Sequence, residues 1–170
     1  MTLTPPLRKA LLTTHVLSSV GWLGAVASFL VLATVGLEST RAETVRGAYL
    51  AMDVLTWSLI VPLCVASLTT GILQSLGTPW GLLRHYWVIA KLALTVVATF
   101  VLLMHTRPIG VVATHAAAAA LLSTDLRAVR VQLIGDAAAA LLVLFATTVL
   151  SVYKPRGMTR YGWRRQHATQ

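Results

Sequence analysis

With 56% hydrophobic and only 11% charged residues in a length of 170, the chain departs from soluble usage, in which about 25% are charged, and its mean hydropathy of +0.76 agrees. A formal charge of +9 and a pI near 10.9 would suggest nucleic acid in a soluble protein, but here the basic residues stand at the ends of apolar segments, where anionic lipid headgroups meet them. A single cysteine, Cys64, excludes an internal disulfide and Cys-based zinc or iron–sulfur motifs, and in its apolar stretch it reads as a small core residue.

The first segment opens after Pro5, Pro6, Arg8 and Lys9 and runs without Asp, Glu, Lys or Arg from Ala10 to Leu37. That is far longer than the roughly 7–15 apolar residues of a signal peptide, so we expect a retained span over 10–37. The polar run Glu38-Ser39-Thr40-Arg41-Ala42-Glu43 separates it from a second span over 47–76, which Gly77, Pro79 and Gly81 then end in a turn. The third span covers 86–106 with Lys91 as its only charge. Residues 109–122, which include Ala116 to Ala120, favour helix but are weakly apolar, and we expect a short separate helix lying at the outer interface. The fourth span covers 131–153 around Asp136, and Lys154-Pro155-Arg156-Gly157 stops it. The tail, 154–170, is basic. Its run Arg160, Tyr161, Trp163, Arg164, Arg165 is the one place where basic and aromatic residues interleave, too little for a nucleic-acid surface.

Eight Lys and Arg outside the spans fall on the side of the termini (Arg8, Lys9, Arg84, Lys154, Arg156, Arg160, Arg164, Arg165) and five on the other (Arg41, Arg46, Arg107, Arg127, Arg130). The positive excess marks the cytoplasmic side. The expected protein is therefore all-α: a single polytopic four-helix bundle in a cell's inner or plasma membrane, with both termini cytoplasmic. Glu38, Glu43 and Asp125 fall outside, in agreement.

In lipid, polar side chains within a span must find a partner or a water-lined cavity, so they carry the functional information. On the first span His15, Ser18, Ser19 and Trp22 share a face, with Gly21 and Gly24 allowing close helix approach. The second span repeats Asp53, Trp57, Ile60, Cys64, Ser67, Gly71 and Gln74 at spacings of four and three. The third aligns Lys91, Thr95, Ala98, Leu102 and His105, and the fourth Gln132, Asp136, Ala140, Val143 and Thr147. With about 1.5 Å of rise per residue and alternating direction, His15 and Lys91 belong to an inner layer, and Asp53, His105 and Asp136 to an outer one.

His15 is the leading candidate, because a neutral imidazole can ligate a metal while its other nitrogen is held by a hydroxyl such as Ser18 or Ser19. Equally, it could be an interfacial histidine bonded to a backbone carbonyl. Lys91 either snorkels to the headgroups or turns inward. His85 could supply a second ligand at a similar depth, or meet headgroups. Asp53 and Asp136 suit an interhelical hydrogen bond, to His105 or Thr95, or the handling of protons or cations.

The first-helix His15 followed by Gly21-Trp22-Leu23-Gly24, answered on the third helix by Trp87-Val88-Ile89-Ala90-Lys91-Leu92, resembles the small membrane proteins related to HemJ-type protoporphyrinogen oxidases and CopD-type copper-resistance proteins. The tail Lys154-Pro155-Arg156-Gly157-Met158-Thr159 looks most like their uncharacterised bacterial relatives. The HemJ-type resemblance implies haem b or another tetrapyrrole, with His15 and Lys91 at the positions that matter there, although this chain lacks an Arg shortly after the glycine-aromatic run. Three functions stay open: a haem- or tetrapyrrole-binding redox protein; a non-catalytic membrane partner or assembly factor, alone or as a homo-oligomer; and small-ion or copper transport, for which Met52-Asp53 and Met104-His105 share a depth.

Overall fold

A computed structural model describes residues 4–77, 81–118, 126–155 and 157–167. Helix α1 spans Pro5–Glu38, with prolines in its first turn, where their missing N–H groups have no intrahelical partner to lose. The second membrane helix is built from α2 (Ala42–Leu55), a π-helical turn (Thr56–Ile60) and α3 (Val61–Leu76). After it come α4 (Tyr86–Ala117), α5 (Arg127–Tyr153) and a short α6 (Arg160–His167). Pro79 and Asp125 lie outside the described residues.

Four helical segments are long and apolar enough to cross a membrane, at 34, 35, 32 and 27 residues; about 20 suffice for the hydrocarbon core. Helix α1 packs against α2, α3 and α5, and α4 packs against the same three. The four crossings therefore form a ring in chain order with antiparallel neighbours, and α1 and α4 face each other across its diagonal. Leu17, Phe100, Leu142, Phe145 and Val152 point outward while Ala25, Ala33, Gly36, Ala48, Ala113, Ala116 and Ala137 are buried. Small residues inside and large apolar ones outside suit a solvent of lipid tails, in which close backbone approach drives helix association. The chain is a multi-pass α-helical membrane protein.

Two departures from the sequence expectation have local causes. Residues 109–117 form no separate interfacial helix; they continue α4 through Pro108, and Ile109, Val112, Ala113 and Ala116 are buried. Proline is tolerated within membrane helices when neighbours support the backbone, and these apolar side chains find that support in the bundle. In the second crossing, Pro62 lacks the N–H that would bond to the carbonyl four residues back, and Val61 N–H instead reaches Thr56 O, closing the π turn. The extra residue rotates everything upstream. The buried series is consequently Tyr49, Met52, Thr56, Ile60, Cys64 and Ser67, and Trp57, expected inside, is 55% exposed.

Thr147 is buried on α5 as expected, but over the preceding turns the buried positions are shifted by one, to Leu133, Ala137 and Leu144, while Gln132 is exposed. Beyond α5, the chain folds back onto the segment before α4. Thr159 N–H donates to Arg84 O at 2.9 Å, Tyr86 N–H to Gly157 O at 3.3 Å, and His85 and Met158 form an antiparallel bridge.

Candidate functional site

The polar side chains gather in two layers, one toward the end of the bundle that carries the termini and one toward the far end. In the terminal layer, His15 Nδ1 lies 3.1 Å from Ser67 O and 3.2 Å from Thr70 Oγ1. A carbonyl can only accept, and the Thr70 hydroxyl hydrogen is committed to Ala66 O. The network therefore assigns the proton to Nδ1 and leaves Nε2 of the neutral ring with its lone pair. The ring is held from α3, by Thr70 and by a backbone carbonyl, the contact that the alternative reading of His15 expected. Ser18 Oγ bonds back to His15 O at 3.1 Å, and Ser19 Oγ meets Ser67 Oγ at 2.7 Å, so neither serine holds the imidazole. Gly71 makes the approach possible, because a Cβ there would stand 3.0 Å from His15 Cε1.

Across the diagonal, Lys91 Nζ donates to Ser151 Oγ on α5, and Ser151 donates onward to Thr147 O at 2.8 Å. Lys91 is half-buried. Its bonding thus turns toward the neighbouring helix. Thr95 and Thr99 bond along α4 to Lys91 O and Thr95 O, both at 2.8 Å. Buried Cys64 closes this layer with Sγ 3.2 Å from Thr99 Oγ1. Above it, the Trp22 indole is buried, and its Nε1 has no acceptor among the described residues.

His85 takes a different place. It is the N-cap residue of α4 in an extended conformation, its backbone bridges to Met158, and its ring lies 6.4 Å from that of Trp87. Among the described residues, the hydrogen bonds that hold the His15 ring come from α3.

In the far layer His105 Nε2 lies 2.9 Å from Asp136 Oδ2, with the side chains 21% and 32% exposed. His105 Nδ1 donates to Val101 O at 2.7 Å, so Nε2 attracts the carboxylate when it carries a second proton. Oδ2 itself is covered and makes no directed hydrogen bond. Gln132 Nε2 stands 3.2 Å from the same ring nitrogen. Asp53 is half-buried and makes no side-chain hydrogen bond or ion pair among the described residues; of the two acids, only Asp136 meets His105. Because the pair is only partly covered and surface pairs contribute about 0–1 kcal/mol, Asp136→Asn is expected to change unfolding free energy in detergent by no more than about 1–2 kcal/mol. A loss of several kcal/mol on thermal or denaturant unfolding would make the pair structural.

Met52 is buried whereas Met104 is 60% exposed, so the two thioethers occupy different environments. Arg130, which the sequence places in a loop tally, is buried. Its Nε donates to Tyr49 Oη at 2.8 Å and its Nη2 to Gly36 O, with the guanidinium 5.3 Å from the Tyr49 ring centroid. The group satisfies a carbonyl of the last turn of α1, where no helical N–H can follow.

Among the described residues, no three His, Cys, Asp or Glu side chains converge as a metal site. Compared with sequence families, with characterised proteins and with solved structures, the chain matches none.

Proposed function

We propose that this membrane protein binds a haem or related tetrapyrrole in its terminal layer, where His15 Nε2 would ligate the metal and Lys91 would meet a carboxylate of the group. The observation that carries the reading is the restrained His15 ring: Nδ1–H on the Ser67 carbonyl and the lone pair on Nε2 is the arrangement that second-shell partners impose on metal-binding imidazoles.

A bare ion would need three or four protein ligands, and His15 has no such companions among the described residues. A macrocycle brings its own four nitrogens and asks the protein for one or two. The buried Trp22 N–H without an acceptor supports a bound group in the same interior, since such an orphan costs about 1–3 kcal/mol. Lys91 adds an amine on the helix diagonally opposite, held by Ser151 Oγ. When bound, haem would supply one-electron redox chemistry, its potential tuned by the axial ligand. The Lys and Arg excess on the side of the termini supports a cytoplasmic orientation for this layer in an inner or plasma membrane.

The test is a reduced-minus-oxidised visible spectrum and a pyridine haemochrome assay on the full chain in mild detergent, as isolated and after haem addition. A Soret band in the wild type that is lost in His15→Ala, and haem retention weakened several-fold in Lys91→Ala, are expected. An absent band in the reconstituted wild type, or an unchanged one in His15→Ala, overturns the reading. In that case a companion protein retained through mild extraction would favour the role of membrane partner.

A further inference from the structure

The C-terminal segment is tied down by contacts that the bundle itself does not need. Six residues after Tyr153, the hydroxyl of Thr159 donates to Leu83 O at 2.6 Å and accepts the Gly162 N–H at 3.1 Å. One oxygen thereby caps the first turn of α6 and fastens it to the segment that enters α4. At Gly162 the approach is so close that a Cβ would stand 2.6 Å from Arg84 O; only glycine fits. At about 100° per residue, Arg160 and Arg164 each lie about 160° from Gly162, and Tyr161 and Trp163 lie about 100° to either side. The docked face is thus the glycine face. Opposite it stand two exposed arginines, flanked by Tyr161 and Trp163, which are 50% and 58% exposed.

We propose that docked α6 is a binding surface for the headgroups of anionic phospholipids. Both of its tethers, the end of α5 and residues 83–85 just before α4, are the ends of membrane-crossing helices, so α6 is held at the level where the hydrocarbon stops. At that level the abundant anion is the lipid phosphate. Tyr and Trp prefer the same level because their rings are apolar and their tips polar. Two guanidiniums framed by two such rings match an anionic interface, and the backbone bridge fixes their position without a long ordering step on binding. The inference is independent of any haem in the bundle.

The experiment uses the full chain in mild detergent and reads retained phosphatidylglycerol against phosphatidylcholine by native mass spectrometry. At roughly five-fold per basic residue near an anionic surface, Arg160→Gln/Arg164→Gln is expected to lower the preference for phosphatidylglycerol about twenty-five-fold. Gly162→Ala, which keeps both charges but drives a Cβ into the Arg84 carbonyl, is expected to lower it several-fold. Equal preference in the wild type and the double variant, with circular dichroism unchanged, overturns the proposal. So does displacement of the lipid by inorganic phosphate beyond a chloride control of equal ionic strength, which would mark a site for the free anion. Retention of a single-stranded oligonucleotide in preference to the lipid would likewise overturn it.

Discussion

Arg130→Met is expected to destabilise the protein by about 2–4 kcal/mol. The guanidinium makes two charge-assisted hydrogen bonds across three helices, to Tyr49 Oη on α2 and to Gly36 O on α1. Methionine fills similar volume and removes the cost of burying a charge. However, it strands a buried hydroxyl and a helix-terminal carbonyl, each costing about 1–3 kcal/mol when left without a partner. Gly36 packs so closely on Tyr49 that a Cβ there would stand 2.8 Å from the ring, so the two stranded groups remain buried together. Thermal unfolding in detergent should show a Tm lower by roughly 6–12 °C. Adding Tyr49→Phe removes one of the two stranded groups, so the double variant should lose less than the sum of the singles. Strict additivity would show that the hydrogen bonds contribute little. Arg130→Lys should fall between, since an ammonium cannot serve both acceptors in the same fixed fork.

That residue also shows where the sequence stops being readable. The four crossings are legible because charge-free stretches are long, and the faces of α1 and α4 are legible because each is an uninterrupted helix with a regular period: His15, Ser18 and Trp22 on one, Lys91, Thr95, Ala98 and His105 on the other. Arg130 reads as a loop cation because its burial depends on Gly36 and Tyr49, 94 and 81 positions away, and no local pattern encodes that meeting. In the second crossing the pattern of fours and threes misleads upstream of Pro62. The π turn inserts one residue and sends Trp57 outward and Met52 inward, and Pro62 is the signal that could have revealed it. The short interfacial helix expected after Arg107 fails for the opposite reason: composition alone judged residues 109–117 too weakly apolar, while their burial against the bundle supplies what lipid partition does not.

The terminal layer was half legible for a similar reason. Periodicity places His15 and Lys91 on inward faces, but the groups that fix them sit on other helices: the Ser67 carbonyl and Thr70 on α3, Ser151 on α5. Backbone carbonyls carry no sequence signature. The functional statement about His15 therefore depends on an acceptor that only the packing of α1 on α3 reveals. Gly71 is the residue through which that packing can be tested.

If the proposed tetrapyrrole is ligated by His15, Gly71→Leu is expected to abolish its retention as fully as His15→Ala, although it removes no polar group of the site. The His15 ring lies against the Gly71 backbone, so a Cβ there would be 3.0 Å from Cε1, 3.5 Å from Nδ1 and 3.8 Å from Nε2. An alanine forces the ring aside by a few tenths of an ångström, and a leucine occupies the space and separates Nδ1 from Ser67 O. Freed of that bond, the imidazole loses both its tautomer and its aim. Overpacking costs roughly 1–3 kcal/mol, so the protein should still fold and can be assayed. The pyridine haemochrome assay should then give haem-to-protein ratios falling from wild type through Gly71→Ala, by several-fold, to near zero in Gly71→Leu. Gly24→Ala supplies the control, because a Cβ at Gly24 meets nothing within 4 Å, and it should leave the ratio unchanged. If haem retention survives in Gly71→Leu, the ligand is held without the His15–Ser67 geometry, and the assignment of Nε2 as its axial contact fails.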